Sequence, residues 1–223
     1  MKLSVITPVG PGHKEFVLNA RASVSLARYA KNCKFTEVRH VVIDDHEGRM
    51  GRSRARNLGM TEDADWFFFL DADDRMMPQA LSLCDFRYQA TFGTVFSRCA
   101  LKKITSNIYP CGWQQIREHG AKGTLSMGFF CRADVARKLR FDERLDAGED
   151  FDFYMRLDNF IKIDKPLADI GTDIPSATGP RGYESIDWSG VCNGIIAKYI
   201  GKEPRKYDLN RHAVLESPRR ASA

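Results

Sequence analysis

Apolar residues come in short blocks along this chain, and the first blocks each stop at polar or charged residues. Lys2-Leu-Ser-Val-Ile-Thr7 is apolar and β-branched and is followed by Pro8-Val-Gly-Pro-Gly12, which predicts a strand and then a loop. Phe16 to Ala30 follows with Phe16, Ala20, Val24 and Ala27 on one helical face. Val38 to Ile43 predicts a second strand, running into Asp44-Asp45-His46-Glu47-Gly48. Ser53 is placed to cap a helix through Met60. Trp66-Phe-Phe-Phe-Leu70 is apolar at every position, the pattern of a strand buried on both faces, and it leads directly into Asp71-Ala-Asp73-Asp74.

Further along, Pro78 suits the first turn of a helix containing Ala80, Leu81, Leu83 and Cys84. Thr94–Phe96 and Leu125–Cys131 predict strands, Cys99–Tyr109 a further excursion of the sheet, and Asp134–Leu139 a short helix. After Gly148-Glu-Asp150, Phe153, Leu157 and Phe160 recur at i, i+4 and i+7, which predicts an amphipathic helix. Lys162–Leu167 predicts the last strand. Pro175, Gly179, Pro180 and Gly182 then mark loop, before a short helix at Ile195–Ile200. Strands alternating with helices predict the α/β class: one Rossmann-like domain over residues 1–180, its central sheet mostly parallel and flanked by helices, with 181–223 as a C-terminal extension.

Composition narrows the class. The 223 residues are 43% hydrophobic and 28% charged, enough for one sizeable core. The apolar start is too short for a secretory segment, and no stretch is long enough to span a bilayer, so a cytoplasmic location is expected. The six Cys (33, 84, 99, 111, 131, 192) include no Cys-x-x-Cys pair, which argues for reduced thiols over a zinc site or a disulfide framework. The net charge of +5 is modest, with one basic group at Arg49, Arg52, Arg54 and Arg56 and another in the tail after Lys198. No basic stripe with interleaved aromatics points to nucleic acid.

The chemistry gathers at the strand ends. A buried strand that runs into three carboxylates needs shared protons, a basic partner or a metal ion. In open α/β sheets, ligands collect outside the carboxyl ends of the strands. Mg²⁺ and Mn²⁺ take oxygen ligands, commonly one or two carboxylates plus substrate phosphates. Asp71 and Asp73, alternating on an extended segment, fit that pattern. Glu149 and Asp150, read alone, fit helix capping and the helix dipole better than a general base.

Five short motifs occur in order: Ser4-Val-Ile-Thr-Pro8, Val42-Ile-Asp-Asp45, Ala55-Arg-Asn-Leu-Gly59, Phe69-Leu-Asp-Ala-Asp-Asp74 and Gly148-Glu-Asp150. Together they resemble the family 2 glycosyltransferases of the GT-A fold, over roughly residues 1–170. The resemblance implies a GT-A-like fold, a nucleotide-sugar donor (UDP-linked above all), a divalent Mn²⁺ or Mg²⁺ at an Asp-x-Asp site, and inversion at the anomeric carbon. It implies Asp73 as principal metal ligand with Asp71 near metal and ribose. Asp74 either supports them or caps a helix. Thr7, Pro8, Asp44, Asp45 and Ala72 would line the nucleotide, assisted by Arg52 and Arg56. Asp150, with Glu149 beside it, would be the catalytic base. A C-terminal His is often found near the metal or acceptor, and His212 is the candidate, with Trp188 and Tyr183 as aromatic alternatives.

Two loops depart from the family pattern: Val9-Gly-Pro-Gly-His13 after the first strand, and His46-Glu47-Gly48 after the paired Asp. The acceptor stays open among a glycan, a lipid-linked molecule and a nucleic acid, with Trp113 as a candidate stacking platform. Alternatives are a nucleotide-sugar-binding module with weak turnover and a phosphatase of the haloacid dehalogenase type. The latter expects Gly-Thr after the Asp pair, where this chain has Asp74-Arg75.

Overall fold

The computed structural model describes residues 1–97, 102–104, 127–145, 147–170 and 188–199. Most of the predicted excursion at 99–109, together with Trp113, Tyr183, His212 and the basic tail, lies outside them. Eight strands are described: β1 Lys2–Val9, β2 Glu37–Asp44, β3 Trp66–Phe69, β4 Arg75–Met76, β5 Ala90–Ser97, β6 Lys102–Ile104, β7 Phe129–Arg132 and β8 Phe160–Ile170. The helices are α1 Val17–Arg28, α2 Arg52–Gly59, α3 Ala80–Leu83, α4 Ala133–Leu139, α5 Glu149–Tyr154 and α6 Trp188–Tyr199. The strands form one sheet in the order β2-β1-β3-β7-β5-β8-β4, with β6 on β5. Pairing directions make β1, β2, β3, β5 and β8 run one way and β4, β6 and β7 the other. The sheet is mostly parallel, as the alternation of elements predicts.

β3 is buried from end to end, with Trp66 at 3% exposure and Phe67 to Leu70 at 0%. Alternation sends its side chains into two cores. Phe67 and Phe69 join Phe92, Phe129, Phe141 and Phe153 on one side of the sheet. Trp66, Phe68 and Leu70 join Leu3, Val5, Phe130 and the inner face of α1 on the other. The rings are closely packed: Phe92 stacks on Phe129, and Phe141 on Phe153, each with centroids 4.6 Å apart. Each buried side chain of this size contributes about 1.5–3 kcal/mol.

The first strand is longer than its pattern suggests, since β1 runs on through Pro8 to Val9. The Ile6 carbonyl accepts from Leu70 N–H on the β3 side, and the Val9 carbonyl from Asp45 N–H on the β2 side. Pro8 therefore points its missing N–H toward β3, past the end of that strand, where no ladder bond is lost. Two helices are also corrected. Ser53 is not the cap of α2, which starts at Arg52 with Gly51 at the N-cap. The helix that opens at Glu149 stops at Tyr154, so Leu157 and Phe160 lie beyond it. Arg156 and Leu157 N–H bond back three residues, and Gln89 then captures the chain, its Oε1 accepting from Asp158 and Asn159 N–H. Phe160 begins β8. The sheet overrides the local helical spacing.

α6 lies within the segment read as an extension, yet it docks on α5. Ile195 is buried in the core, and a methyl group on Gly148 would come 2.8 Å from both Val191 and Ile195. Gly148 also has φ +75°, so it meets both the turn and the close approach. Asp152, 1% exposed, accepts from Lys198 Nζ at 2.7 Å and Tyr199 Oη at 2.8 Å. Among the described residues no helix is long and apolar enough to cross a membrane.

Candidate active site

The three parallel strands β1, β2 and β3 end side by side, and the loops beyond them carry the acidic residues. Asp45 is 6% exposed and is spent on its own loop. Its Oδ1 accepts from Arg49 N–H (2.8 Å) and Met50 N–H (3.0 Å), and its Oδ2 from Gly51 N–H (2.7 Å). That carboxylate fixes the approach to α2. Asp44, next to it, is exposed and accepts from His46 Nδ1 at 2.8 Å and from His46 N–H. The His46 side chain and backbone hold its carboxyl below the usual range.

α2 then works residue by residue. Ala55 is fully buried, and Gly59 lies against β1, where a methyl group would come 2.5 Å from Ile6 Cγ2. Asn57, 2% exposed, clasps the 141–143 loop: Nδ2 donates to the Phe141 carbonyl and to Glu143 Oε1, and Phe141 N–H donates to Oδ1, all within 2.8–2.9 Å. Asn57→Ala strands both backbone groups of Phe141. It is expected to cost about 2–3 kcal/mol and to lower the melting temperature by roughly 5–10 °C. A melting temperature within one degree of wild type would remove this role.

Arg56 is the centre of the site. Its side chain is 2% exposed, lies over the Phe141 ring at 5.2 Å, and reaches two carboxylates. Nη2 donates to Asp71 Oδ1 at 2.7 Å and Nη1 to Glu149 Oε1 at 2.8 Å. Burial alone would lower its pKa, but Asp71 and Glu149 outweigh burial and raise it. The guanidinium thus bridges the end of β3 to the first residue of α5. Arg52 Nε lies 3.8 Å from the same Glu149 oxygen and keeps a third of its side chain exposed.

Asp150 follows Glu149 and stays half-buried, its Oδ1 accepting Phe151 N–H at 2.7 Å. Burial, then the neighbouring Glu149 carboxylate, push its pKa up to about 6, against the opposing pull of Arg56. This is a poised carboxyl, as a general base working near neutral pH requires.

The residues named from sequence separate into three groups. Asp150, Asp71 and Asp73 keep solvent access, as do Asp44 and Arg52. Thr7, Pro8 and Ala72 are buried, and Thr7 Oγ1 is engaged with His40 Nε2 at 2.9 Å. Arg56, Glu149 and Asp45 are enclosed and hydrogen-bonded within the chain. Asp74 is buried, and its N–H closes a turn onto the Asp71 carbonyl, ahead of β4. Sequence reasoning missed Asn57 and His40. Asn57 stood inside a quoted motif without a role. His40 carried no signal beyond its strand; burial, then Arg21, lower its pKa to about 4.

The donor set bears on a metal. Among the described residues no three His, Cys, Asp or Glu side chains form a metal cage. Asp71, a third exposed with Oδ1 on Arg56, and the half-buried Asp73 fit an ion held by one or two carboxylates and completed by substrate phosphates.

No protein-family model matches the chain. No curated protein matches it either. Solved structures do. S. aureus TarS 1–349 in complex with UDP-GlcNAc superposes with a TM-score of 0.61 at 13% identity, covering 90% of this chain and 72% of that one. Another TarS 1–349 structure gives 0.56 at 15%, covering 77% and 61%. Glucosyl-3-phosphoglycerate synthase from Mycobacterium tuberculosis, in complex with phosphoglyceric acid, gives 0.51 at 14%, covering 90% and 80%. The chain spans 61% of TarS 1–349 in the second of these superpositions and 43% of a longer TarS chain. At such identities the likeness establishes the architecture alone: this chain has the GT-A-like α/β fold of the TarS and glucosyl-3-phosphoglycerate synthase structures.

Proposed function

We propose that this chain is an inverting glycosyltransferase that moves a sugar from a nucleotide-sugar donor, UDP-linked by preference, to an acceptor hydroxyl. The observation that carries the proposal is the Asp71–Arg56–Glu149 bridge. It ties an acidic strand end to a short helix whose next residue, Asp150, is a half-buried carboxyl with a pKa near 6. That arrangement supports a donor at the ends of β1–β3 and an acceptor hydroxyl at Asp150. The fold shared with TarS, a protein solved with UDP and with UDP-GlcNAc, supports the donor class.

In the reaction, Asp150 takes the proton of the acceptor hydroxyl while its oxygen attacks the anomeric carbon. The bond to the diphosphate oxygen breaks on the opposite side, and its electron pair leaves with the diphosphate. Asp73 and Asp71 would hold a bound Mn²⁺ or Mg²⁺, whose chemistry is Lewis-acid neutralisation of the departing charge. Asp44 and Arg52, which keep solvent access, are the side chains free to meet the nucleotide. Asp45 and Arg56 hold their loops in shape.

The test is release of nucleoside diphosphate from a panel of nucleotide sugars, UDP-GlcNAc first, with Mn²⁺ and with EDTA. Turnover is expected to require the metal, and Asp73→Asn is expected to lower it by about 10²-fold with the protein still folded. Donor binding with no release under any condition would overturn the enzyme in favour of a binding module. Equal release with EDTA would overturn the metal role.

A further inference from the structure

The outer face of α1 belongs to none of the chemistry above. Its inner face is ordinary: Ala20, Ser23, Val24 and Ala27 are buried against the sheet, and Ser23 Oγ accepts Met76 N–H at 3.0 Å. Its outer face is not. Among the exposed large apolar side chains described, the three most exposed are Tyr29 at 81%, Leu18 at 73% and Leu26 at 66%. All three lie on α1 or at its C-cap. Leu18, Ala22 and Leu26 fall at i, i+4 and i+8, so with Tyr29 they make one stripe along the helix.

The charges around that stripe share one sign. Between residues 14 and 31 the chain has Lys14, Arg21, Arg28 and Lys31 against a single acid, Glu15, and the helix itself contains no acid. All four cations are exposed, and Lys14 also acts on the nearby Asp44 carboxyl. At about 100° per residue, Arg21 and Arg28 stand together along one flank of the stripe. A helix that shows apolar residues outward between cations has the pattern of a segment lying in a lipid–water interface. A protein partner fits less well, since three large side chains fall short of the about 800 Å² per partner that a stable interface buries.

We propose that the α1 outer face, Leu18, Leu26 and Tyr29 flanked by Arg21 and Arg28, docks this chain on an anionic lipid surface. The apolar side chains enter the headgroup boundary while the cations meet lipid phosphates. Each cation near such a surface is worth roughly fivefold in affinity, an effect that salt screens. This inference does not depend on the proposed reaction.

The experiment is co-sedimentation of the full chain with phosphatidylcholine vesicles, with and without phosphatidylglycerol, over a range of salt. Binding is expected to the anionic vesicles only and to fall steeply with salt. The double variant Leu18→Glu/Leu26→Glu is expected to lose it by at least tenfold. Both side chains are exposed, so melting temperature and donor hydrolysis are expected to stay at wild-type values. Arg21→Gln/Arg28→Gln is expected to weaken binding by roughly 25-fold. No vesicle binding by the wild-type chain, or equal binding by the double glutamate variant, overturns the proposal. A wild-type dimer that this variant converts to a monomer also overturns it, in favour of a second copy on α1.

Discussion

Asp150→Asn is expected to lower turnover by about 10²- to 10⁴-fold while leaving donor affinity within a few-fold of wild type. The side chain keeps its shape and can still accept Phe151 N–H, so α5 holds its place, and the loss is confined to proton uptake. Single-turnover transfer with a saturating donor, alongside donor titration by fluorescence or calorimetry, separates the two quantities. Transfer at the wild-type rate would sink the base assignment.

The pH profile sharpens the same prediction. The Asp150 pKa is raised from 3.8 to about 6, and only the ionised form accepts a proton. The wild-type kcat/KM is therefore expected to fall tenfold per pH unit below about 6, and the residual activity of the variant to lack that limb. Stability moves in the opposite sense. A carboxyl whose folded pKa is raised contributes stability below its unfolded value, and that contribution is lost as pH rises through 6. The asparagine variant is thus expected to be more stable than wild type at pH 7, by the order of 1–3 kcal/mol, with the difference closing below pH 4. A variant that loses both activity and stability at pH 7 would point to a structural role instead.

What sequence could reveal here follows the range of each signal. β3 was legible because five consecutive apolar residues leave no other way to hide them, and the acids beyond it are adjacent in the chain. The sheet direction followed from alternation of elements. The end of α5 was not legible, because Phe153, Leu157 and Phe160 keep helical spacing across a break imposed by Gln89, far away in sequence. The same distance explains Arg56 and Asp45. The motif resemblance implies nucleotide contacts for both, and the packing encloses both, Arg56 at 2% and Asp45 at 6% exposure. Nothing in a linear pattern says that Arg56 will find Asp71 on one side and Glu149, 93 residues onward, on the other. The motifs stand in order along the chain, but which of their side chains are enclosed and which stay exposed is decided by packing.

Arg56→Met is expected to destabilise the fold by about 3–5 kcal/mol and to abolish measurable transfer. Methionine fills much of the space over Phe141 but removes the cation that joins Asp71 to Glu149, leaving Glu149 only the longer contact to Arg52 at 3.8 Å. Glu149 is 3% exposed, so its charge then loses its 2.8 Å hydrogen bond with little water to replace it, which strains the start of α5. For a chain of this length the melting temperature is expected to drop by about 10 °C or more. Arg56→Lys separates charge from geometry. An ammonium keeps the cation but lacks the planar fork that spans two carboxylates at once. It is expected to recover part of the stability while kcat stays depressed, because Asp71 and α5 are no longer held in one frame. A double variant gives the strictest reading: Glu149→Gln added to Arg56→Met removes the stranded charge, so the pair should cost less than the sum of the singles. If the two losses add, or if Arg56→Met melts within two degrees of wild type, the guanidinium is not what joins the acidic strand end to the base. If Arg56→Lys restores full turnover, positive charge alone suffices and the bidentate bridge has no part in positioning Asp150.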